Sequence, residues 1–215
     1  MAGASPDRRE ALLVFLRYPI PGRTKTRLVP LLGEEGAAAV YRRVAEQVLR
    51  QASSLDRTAI SRIAWVDPAE RVRDAAAWIG PRFDTRPQPA EDLGARLERG
   101  FAAAFAEGAR NVVAIGTDCP DVNAALLARA FDALDEFDAV LGPARDGGYY
   151  LLGLSRPLPV FRDVPWSTER VARATLELLE RAGARVKLLE TLRDLDTPED
   201  LRALATVWPE LLSPS

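Results

Sequence analysis

Residues 111–121 constrain the fold of this chain more than any other part of its sequence. An apolar, β-branched run at residues 112–115 ends abruptly in Gly-Thr-Asp, and Pro120 then forbids further strand. This pattern predicts a buried strand that delivers the carboxylate of Asp118 to the edge of a sheet. Ligands of open α/β sheets bind outside the carboxyl ends of the strands. Asp118 is therefore a natural ligand for a hard divalent cation that carries phosphates.

Strand and helix signals alternate along the chain. Strands are predicted at residues 12–16, 58–66, 82–86, 112–115, 139–142, 149–154 and 185–189. Helices are predicted from residue 34, at 68–78 with Asp67 as N-cap, after the cap Asp92, at 124–134, at 167–182 and from Pro198. The alternation indicates an α/β fold with a central mixed, mostly parallel sheet flanked by helices. We expect a flexible tail at residues 1–10 and a single domain at 11–215, because no linker divides the chain.

The composition excludes several classes of protein. A net charge of -2 argues against a nucleic-acid partner, which would require a strongly basic face. No stretch approaches the roughly 20 apolar residues that a membrane span needs. A single cysteine excludes an intrachain disulfide framework and fits a reducing, cytoplasmic location. The sequence leaves a homodimer open.

The absence of histidine limits the chemistry further. It removes Ser-His-Asp and Cys-His catalysis as well as imidazole metal sites. Catalysis must then use carboxylates, cations, hydroxyls and backbone amides. Oxygen ligands favour Mg²⁺ or Mn²⁺ over zinc.

A cationic loop follows the first predicted strand. Its sequence, Pro21-Gly22-Arg23-Thr24-Lys25-Thr26-Arg27, carries cations at alternate positions. In an extended loop Arg23, Lys25 and Arg27 would face one way and could converge on a diphosphate or triphosphate. The loop is not a Walker A motif, and a solvated polar loop is the alternative interpretation.

Two acidic segments are candidate metal ligands. Asp118 could instead cap the following helix, although Asp121 is an equally good cap. Near the C-terminus, Thr197 and Asp200 form a predicted capping box around Pro198. Asp194 and Asp196 are not needed by that cap, so both are free to bind a cation.

Other residues are predicted to contact the nucleotide. Asp146-Gly147-Gly148 is either a hairpin turn or a turn that also lines the site, since paired glycines permit close backbone approach. Thr117 adjoins Asp118 at the end of the buried strand. Further candidates for the base or ribose are Gln88, Asp92 and Gly94, with helix capping as the competing role of Asp92. Trp166 could equally stack on a sugar or fill the core.

Together these motifs resemble one bacterial family of GT-A-type glycosyltransferases, also known as transferases associated with radical-SAM and selenium-domain genes. The resemblance is carried by residues 18–28, 92–94, 116–121, 142–150 and 194–200. It implies a nucleotide-diphospho-sugar transferase fold with a nucleotide over the carboxyl ends of the first strands. By this resemblance, Asp118 matches the acidic residue of a DxD-like metal site. Asp196 resembles the second metal-binding aspartate of sugar-activating cytidylyltransferases.

Part of the chain is also similar to 2-phospholactate guanylyltransferase. The shared motifs are residues 25–28 and 146–148. The chain departs from the broader nucleotidyltransferase pattern, because it lacks the Gly-Gly pair and the GxxxRMG loop after the first strand.

The leading hypothesis is a metal-dependent transferase that uses a nucleotide or nucleotide-sugar donor and transfers a glycosyl group to a small-molecule acceptor. Mg²⁺ or Mn²⁺ on Asp118 and Asp196 would bridge the donor phosphates, while Lys25 and Arg27 neutralise the leaving group. Asp146 is the candidate general base. The alternatives are nucleotidyl transfer from an NTP to a phosphorylated acceptor, with pyrophosphate release, and a non-catalytic nucleotide-binding regulatory module.

Overall fold

A seven-stranded sheet forms the centre of the molecule, with the strand order β3-β2-β1-β4-β6-β5-β7. The computed structural model describes residues 9–57, 59–89 and 91–212. The strands are β1 (Glu10–Arg17), β2 (Ile60–Asp67), β3 (Asp84–Pro87), β4 (Asn111–Gly116), β5 (Ala139–Pro143), β6 (Tyr149–Leu154) and β7 (Val186–Leu188). Only β6 runs antiparallel to its neighbours β4 and β5. The predicted α/β class and mixed, mostly parallel sheet are therefore confirmed.

The described part of the chain contains six α-helices. They are α1 (Val29–Ser54), α2 (Val72–Ile79), α3 (Leu93–Ala106), α4 (Ala124–Ala133), α5 (Val171–Arg181) and α6 (Pro198–Val207). None of these helices is both long and apolar enough to cross a membrane.

Successive side chains of β1 point to opposite faces of the sheet, and each face has its own hydrophobic core. Leu12, Val14 and Leu16 pack with α1, α2 and α4 on one face. Leu13 points the other way and packs with α3 and α5. Each fully buried aliphatic side chain contributes roughly 1.5–3 kcal/mol, so the two faces together hold β1 in the middle of the sheet. A third cluster joins α1 to α6.

Several predicted boundaries are wrong. Asp67 is the last residue of β2 and not a helix cap, because it pairs in register with Arg17 of β1. The helix predicted from residue 34 is confirmed, because Gly33 is non-helical at φ 71° and ψ 171°, but a helical turn that begins at Val29 and precedes this kink was not predicted. Asn123, not Asp121, caps α4 by accepting a hydrogen bond from Leu126 N. The helix predicted from Ser167 begins at Val171.

The predicted tail at residues 1–10 is also too long. Glu10 belongs to β1 and is buried, while residues 1–8 lie outside the described chain. Thr58, predicted to begin the second strand, lies outside it as well. The Glu10 carboxylate tolerates burial because Arg57 donates to both of its oxygens, Nε to Oε2 at 2.5 Å and Nη2 to Oε1 at 2.7 Å.

Replacing Arg57 with alanine is expected to lower the free energy of unfolding by about 3 kcal/mol, because it leaves a buried carboxylate without its partner. Only 4% of the Glu10 side chain is exposed. Denaturant unfolding measures the change. Arg173→Ala removes an exposed i,i+4 pair with Glu177 and should change stability by less than about 0.5 kcal/mol. An equal loss of unfolding free energy in both variants would show that Arg57 does not stabilise the buried Glu10 carboxylate.

Candidate active site

A cleft of about 790 Å³ opens at the carboxyl ends of β1, β2 and β4. It is the region where ligands of open α/β sheets bind. One wall comes from the ends of β1 to β3 and the start of α3. The other wall comes from the β5–β6 turn, the segment before α5 and the segment before α6. The loop between β1 and α1 lies between these walls.

Lys25 is the central cation of that loop. Its backbone adopts a left-handed conformation, with φ 50° and ψ 49°, and a short 3₁₀ turn at Thr26–Leu28 follows. Only 10% of its side chain is exposed. Its ammonium nitrogen Nζ lies 2.7 Å from Asp118 Oδ1 and 3.7 Å from Asp196 Oδ1. The chain thus brings two carboxylates that are distant in sequence to one cation.

The extended loop predicted from the alternating cations is wrong. Because Lys25 is left-handed and the 3₁₀ turn follows, the three cations do not project from an extended segment. Arg27 forms an ion pair with Asp196, and Arg23 lies exposed on the cleft wall. All three cations nevertheless line the cleft.

Pro21 and Gly22 lie outside the lining of the cleft. Gly22 has a positive φ of 72°, and a Cβ there would lie 3.0 Å from the Glu34 carboxylate. The structure therefore places Gly22 against α1 and outside the cleft lining.

A main-chain hydrogen bond fastens the acidic segment near the C-terminus to the end of β4. Leu195 N donates to the carbonyl oxygen of Asp118 at 2.9 Å. As a result Asp194 and Asp196, on either side of Leu195, both line the same cleft as Asp118. The predicted capping box is confirmed, since the Thr197 and Asp200 side chains each bond to the other's backbone.

The Asp194 carboxyl lies in an unusual environment. Its Oδ1 is buried without a hydrogen-bond partner among the described residues. Burial and then the charge of Asp118 raise the pKa of Asp194 to about 7. This orphaned oxygen next to a second carboxylate indicates a place where added positive charge would be stabilising.

The carboxylates do not form a preassembled cluster of three metal ligands within the described residues. Asp118 and Asp196 are each nearly half exposed, at 44% and 42% of their side chains, and both reach the Lys25 ammonium. Oxygen ligands of this kind suit Mg²⁺ or Mn²⁺. The donor set and the orphaned Asp194 oxygen therefore fit a cation, while the metal assignment itself stays a prediction.

Thr117 anchors the end of β4. Its hydroxyl lies 2.8 Å from the Tyr41 hydroxyl, which also accepts a hydrogen bond from Arg17 N at 3.1 Å. Thr117 borders the cleft but is almost completely buried. Burial also raises the pKa of Tyr41 well above its usual value. This chain of hydrogen bonds ties β1, α1 and β4 together directly beneath Asp118.

A polar network lines the wall formed by β1 to β3, and it joins the predicted candidate Gln88 to Asp67, Arg96 and Arg17, which sequence reasoning missed as site residues. Gln88 is buried, donates to Trp65 O at 2.9 Å and accepts from Arg96 Nη1 at 3.1 Å. Asp67 lies 3.4 Å from both Arg96 Nη1 and Arg17 Nε. The sequence signal for Asp67 as a site residue is its position as a polar residue at the end of a strand. The Asp67-Pro68 pair is also typical of a helix start, and this second pattern is the stronger one in the sequence.

Two other predicted nucleotide contacts do not line the cleft. Asp92 caps α3 by accepting from Ala95 N at 2.9 Å. A Cβ on Gly94 would lie 2.3 Å from Trp166 Nε1, so this glycine permits the tryptophan to pack closely against α3. Trp166 itself lines the cleft.

The Asp146-Gly147-Gly148 turn joins β5 to β6, as the hairpin interpretation predicted. Asp146 and Gly148 line the cleft, and Gly148 N donates to Asp146 Oδ1 at 2.8 Å. Gly147 is outside the lining, with φ 89°, and packs against the backbone of Glu169. The turn therefore both shapes the cleft and supports the segment before α5.

Replacing Gly147 with alanine is expected to lower the free energy of unfolding by about 3 kcal/mol through strain and overpacking. The new Cβ would lie 2.0 Å from the Glu169 carbonyl oxygen. Chemical denaturation tests the effect against Gly183→Ala. Gly183 has φ 66° but open space around it, so that variant should lose only about 1 kcal/mol. Equal losses would show that the close approach to Glu169 is unimportant.

The architecture matches that of a solved bacterial structure. A protein from Desulfovibrio desulfuricans G20, named as a nucleotide-diphospho-sugar transferase, has a crystal structure that superposes with a TM-score of 0.86. The two chains are 34% identical, and the match covers 93% of this chain and 87% of the other. The fold is therefore that of the nucleotide-diphospho-sugar transferases, as the motifs predicted.

Two relatives are similar in sequence over most of the chain. The phosphoenolpyruvate guanylyltransferase of Chloroflexus aggregans is 30% identical, over 83% of this chain and 89% of the relative. The 3-phospho-D-glycerate guanylyltransferase of Phenylobacterium zucineum is 30% identical, over 82% and 81%. Fold and relatives together define this protein as a transferase enzyme.

Residues 49–168 match the bacterial family DUF2064, described as "Uncharacterized protein conserved in bacteria". The chain belongs to this family.

Proposed function

We propose that this protein transfers a nucleotide, GMP from GTP, to a phosphorylated small molecule and releases pyrophosphate. The observation that carries the proposal is the Lys25 ammonium, placed between Asp118 and Asp196 beyond the carboxyl ends of β1 and β4. The names of the two guanylyltransferase relatives favour nucleotidyl transfer over glycosyl transfer. Glycosyl transfer, the leading hypothesis from the sequence, becomes the second candidate.

The wall formed by β1 to β3 suits the base. Asp67 offers two acceptor oxygens, and guanine presents adjacent N–H donors on its Watson–Crick edge. Arg96 offers donors beside Asp67, and Gln88 accepts from Arg96 Nη1 and so holds that guanidinium in place. The triphosphate would then run along the loop that carries Arg23, Lys25 and Arg27.

The reaction joins the acceptor phosphate to the α-phosphorus of the NTP. An acceptor oxygen forms the new P–O bond, the bond from the α-phosphorus to its bridging oxygen breaks, and pyrophosphate leaves with the electron pair. The attacking phosphate is already anionic, so no general base is required. Lys25 and Arg27 neutralise charge that builds on the transferred and leaving phosphates. Because Lys25 is largely buried, its charge acts in a medium of lower dielectric than water.

Asp118 and Asp196 would hold Mg²⁺ or Mn²⁺, with Asp194 beside them. The metal would supply Lewis-acid stabilisation of the phosphate charge. Asp146 has no catalytic role in nucleotidyl transfer. Its predicted role as a base belongs to the glycosyl alternative, in which an acceptor hydroxyl must lose a proton.

The test is transfer of α-labelled nucleotide from each of the four NTPs, with Mg²⁺ or Mn²⁺ and a panel of phosphorylated acceptors. We expect labelled product and pyrophosphate in equal amounts, highest with GTP and abolished by a chelator. Turnover of a nucleotide sugar with every NTP untouched would instead establish glycosyl transfer. Metal-independent nucleotide binding without turnover of either donor would support the regulatory module.

A further inference from the structure

Charge is divided unequally between the two walls of the cleft. Five arginine or lysine residues of the described chain line the cleft. All of them lie on the β1–α1 loop or on the wall that we assign to the base: Arg17, Arg23, Lys25, Arg27 and Arg96. The part of the opposite wall that comes from the β5–β6 turn and the segment before α5, which we call the acceptor wall, includes Asp146, Gly148, Tyr149, Trp166, Thr168 and Glu169. No lysine or arginine in the described chain contributes to the acceptor wall.

The two carboxylates of the acceptor wall are exposed and unneutralised. Asp146 accepts a hydrogen bond from Gly148 N. Neither Asp146 nor Glu169 has an ion-pair partner among the residues that the structure describes. Neighbouring Arg145 and Arg170 are exposed and lie outside the cleft lining. The acceptor wall therefore presents hydrogen-bond acceptors at negative potential.

An aromatic surface accompanies these carboxylates. Trp166 is half-buried, and its ring meets that of Tyr149 edge to face at a centroid distance of 6.4 Å. The absence of a side chain on Gly94 allows the indole to pack close to α3, which fixes its position. A fixed aromatic ring beside carboxylates can contact the apolar face of a sugar or a cationic group, while the carboxylates accept hydrogen bonds.

From this asymmetry we propose that the acceptor carries hydrogen-bond donors and no second anion on the part remote from its phosphate. This inference rests on the proposed nucleotidyl transfer. The phosphate is held at the centre by Lys25 and Arg27, and the remainder of the acceptor lies against Trp166, Asp146 and Glu169. Hydroxyl groups of a sugar phosphate and the ammonium of an aminoalkyl phosphate both supply such donors.

A carboxylate-bearing acceptor fits this wall poorly. Phosphoenolpyruvate and 3-phospho-D-glycerate, named in the two relatives, each carry a carboxylate besides the phosphate. Placed against Asp146 and Glu169, that carboxylate meets like charge and finds no lysine or arginine on the described part of the acceptor wall. The acceptor wall thus selects against the acceptors of those relatives.

The first experiment compares acceptors in the presence of GTP and Mg²⁺. The panel is glucose 1-phosphate, phosphorylethanolamine, phosphoenolpyruvate and 3-phospho-D-glycerate, with pyrophosphate release as the readout. We expect kcat/KM to be at least tenfold higher for one of the first two than for either carboxylate. The better of the two identifies hydroxyl or ammonium recognition. A preference for a carboxylate acceptor overturns the inference but establishes nucleotidyl transfer, whereas no release with any acceptor refutes the proposed function and the inference with it.

The second experiment reverses the charge of the acceptor wall. Glu169→Arg should lower kcat/KM for the preferred acceptor at least tenfold and raise it for phosphoenolpyruvate. Glu136→Arg makes the same charge change on an exposed residue before β5, outside the cleft lining, and should leave the preference as it was. An unchanged acceptor ratio in Glu169→Arg would overturn the inference, provided that its GTP affinity matches that of the parent protein.

Discussion

Replacement of Lys25 with methionine is expected to lower kcat for nucleotidyl transfer by about 10²–10³-fold, the loss typical when one preorganised charge-stabilising group is removed. The Lys25 ammonium is held within 2.7 Å of Asp118 in a largely buried position, so water cannot replace it effectively. Methionine keeps much of the side-chain volume and removes the charge. Single-turnover kinetics at saturating GTP and metal isolate the effect on the transfer step.

The second lysine of the chain provides a matched control. Lys187 lies exposed on β7, near the Phe137 ring and away from the cleft. Lys187→Met removes an equal charge and should leave kcat within about twofold, because an exposed charge outside the site is well screened. A Lys25→Met protein that melts normally and keeps more than a tenth of the parent rate would rule out its proposed role.

Asp118→Asn is expected to abolish the tightening of GTP binding by Mg²⁺ or Mn²⁺ and to lower kcat/KM by about 10²–10³-fold. An amide removes the negative charge that a hard cation requires while keeping the shape of the side chain. Titration of GTP with and without metal, followed by activity at saturating metal, measures both effects. Binding of GTP without metal should not weaken, since a carboxylate near the triphosphate has been neutralised.

Asp121→Asn is the control for this change. Asp121 is exposed and does not line the cleft, and its carbonyl oxygen accepts a hydrogen bond from Asn123 Nδ2. Its substitution should leave metal-dependent binding and rate unaltered. If Asp118→Asn behaves like Asp121→Asn, Asp118 does not hold the metal.

Sequence reasoning performs best where local pattern and tertiary environment agree. The β-branched run of β4 is buried on both faces, so its apolar signal ends where the strand ends and locates Asp118 correctly. The capping box at Thr197 is similarly local, because its hydrogen bonds connect residues three apart. Such features require no knowledge of the rest of the fold.

The missed features depend on contacts between distant segments. Asp67 has the local signature of a helix cap, but pairing of β2 with β1 extends the strand to include it. The position of Glu169 beside the cleft could not be predicted from the residues next to it in sequence. It depends on the packing of the segment before α5 against Gly147. The left-handed backbone at Lys25 likewise has no sequence signal, because a lysine rarely adopts positive φ.

The hydrogen bond from Leu195 N to the carbonyl of Asp118 has a consequence for biosynthesis. A nascent polypeptide released before residue 194 would contain the β1–α1 loop and Asp118 but neither of the acidic groups that flank Leu195. Under the proposed function, we therefore expect catalytic competence only after more than nine-tenths of these 215 residues have been translated, and we expect fragments from premature termination not to consume nucleotide.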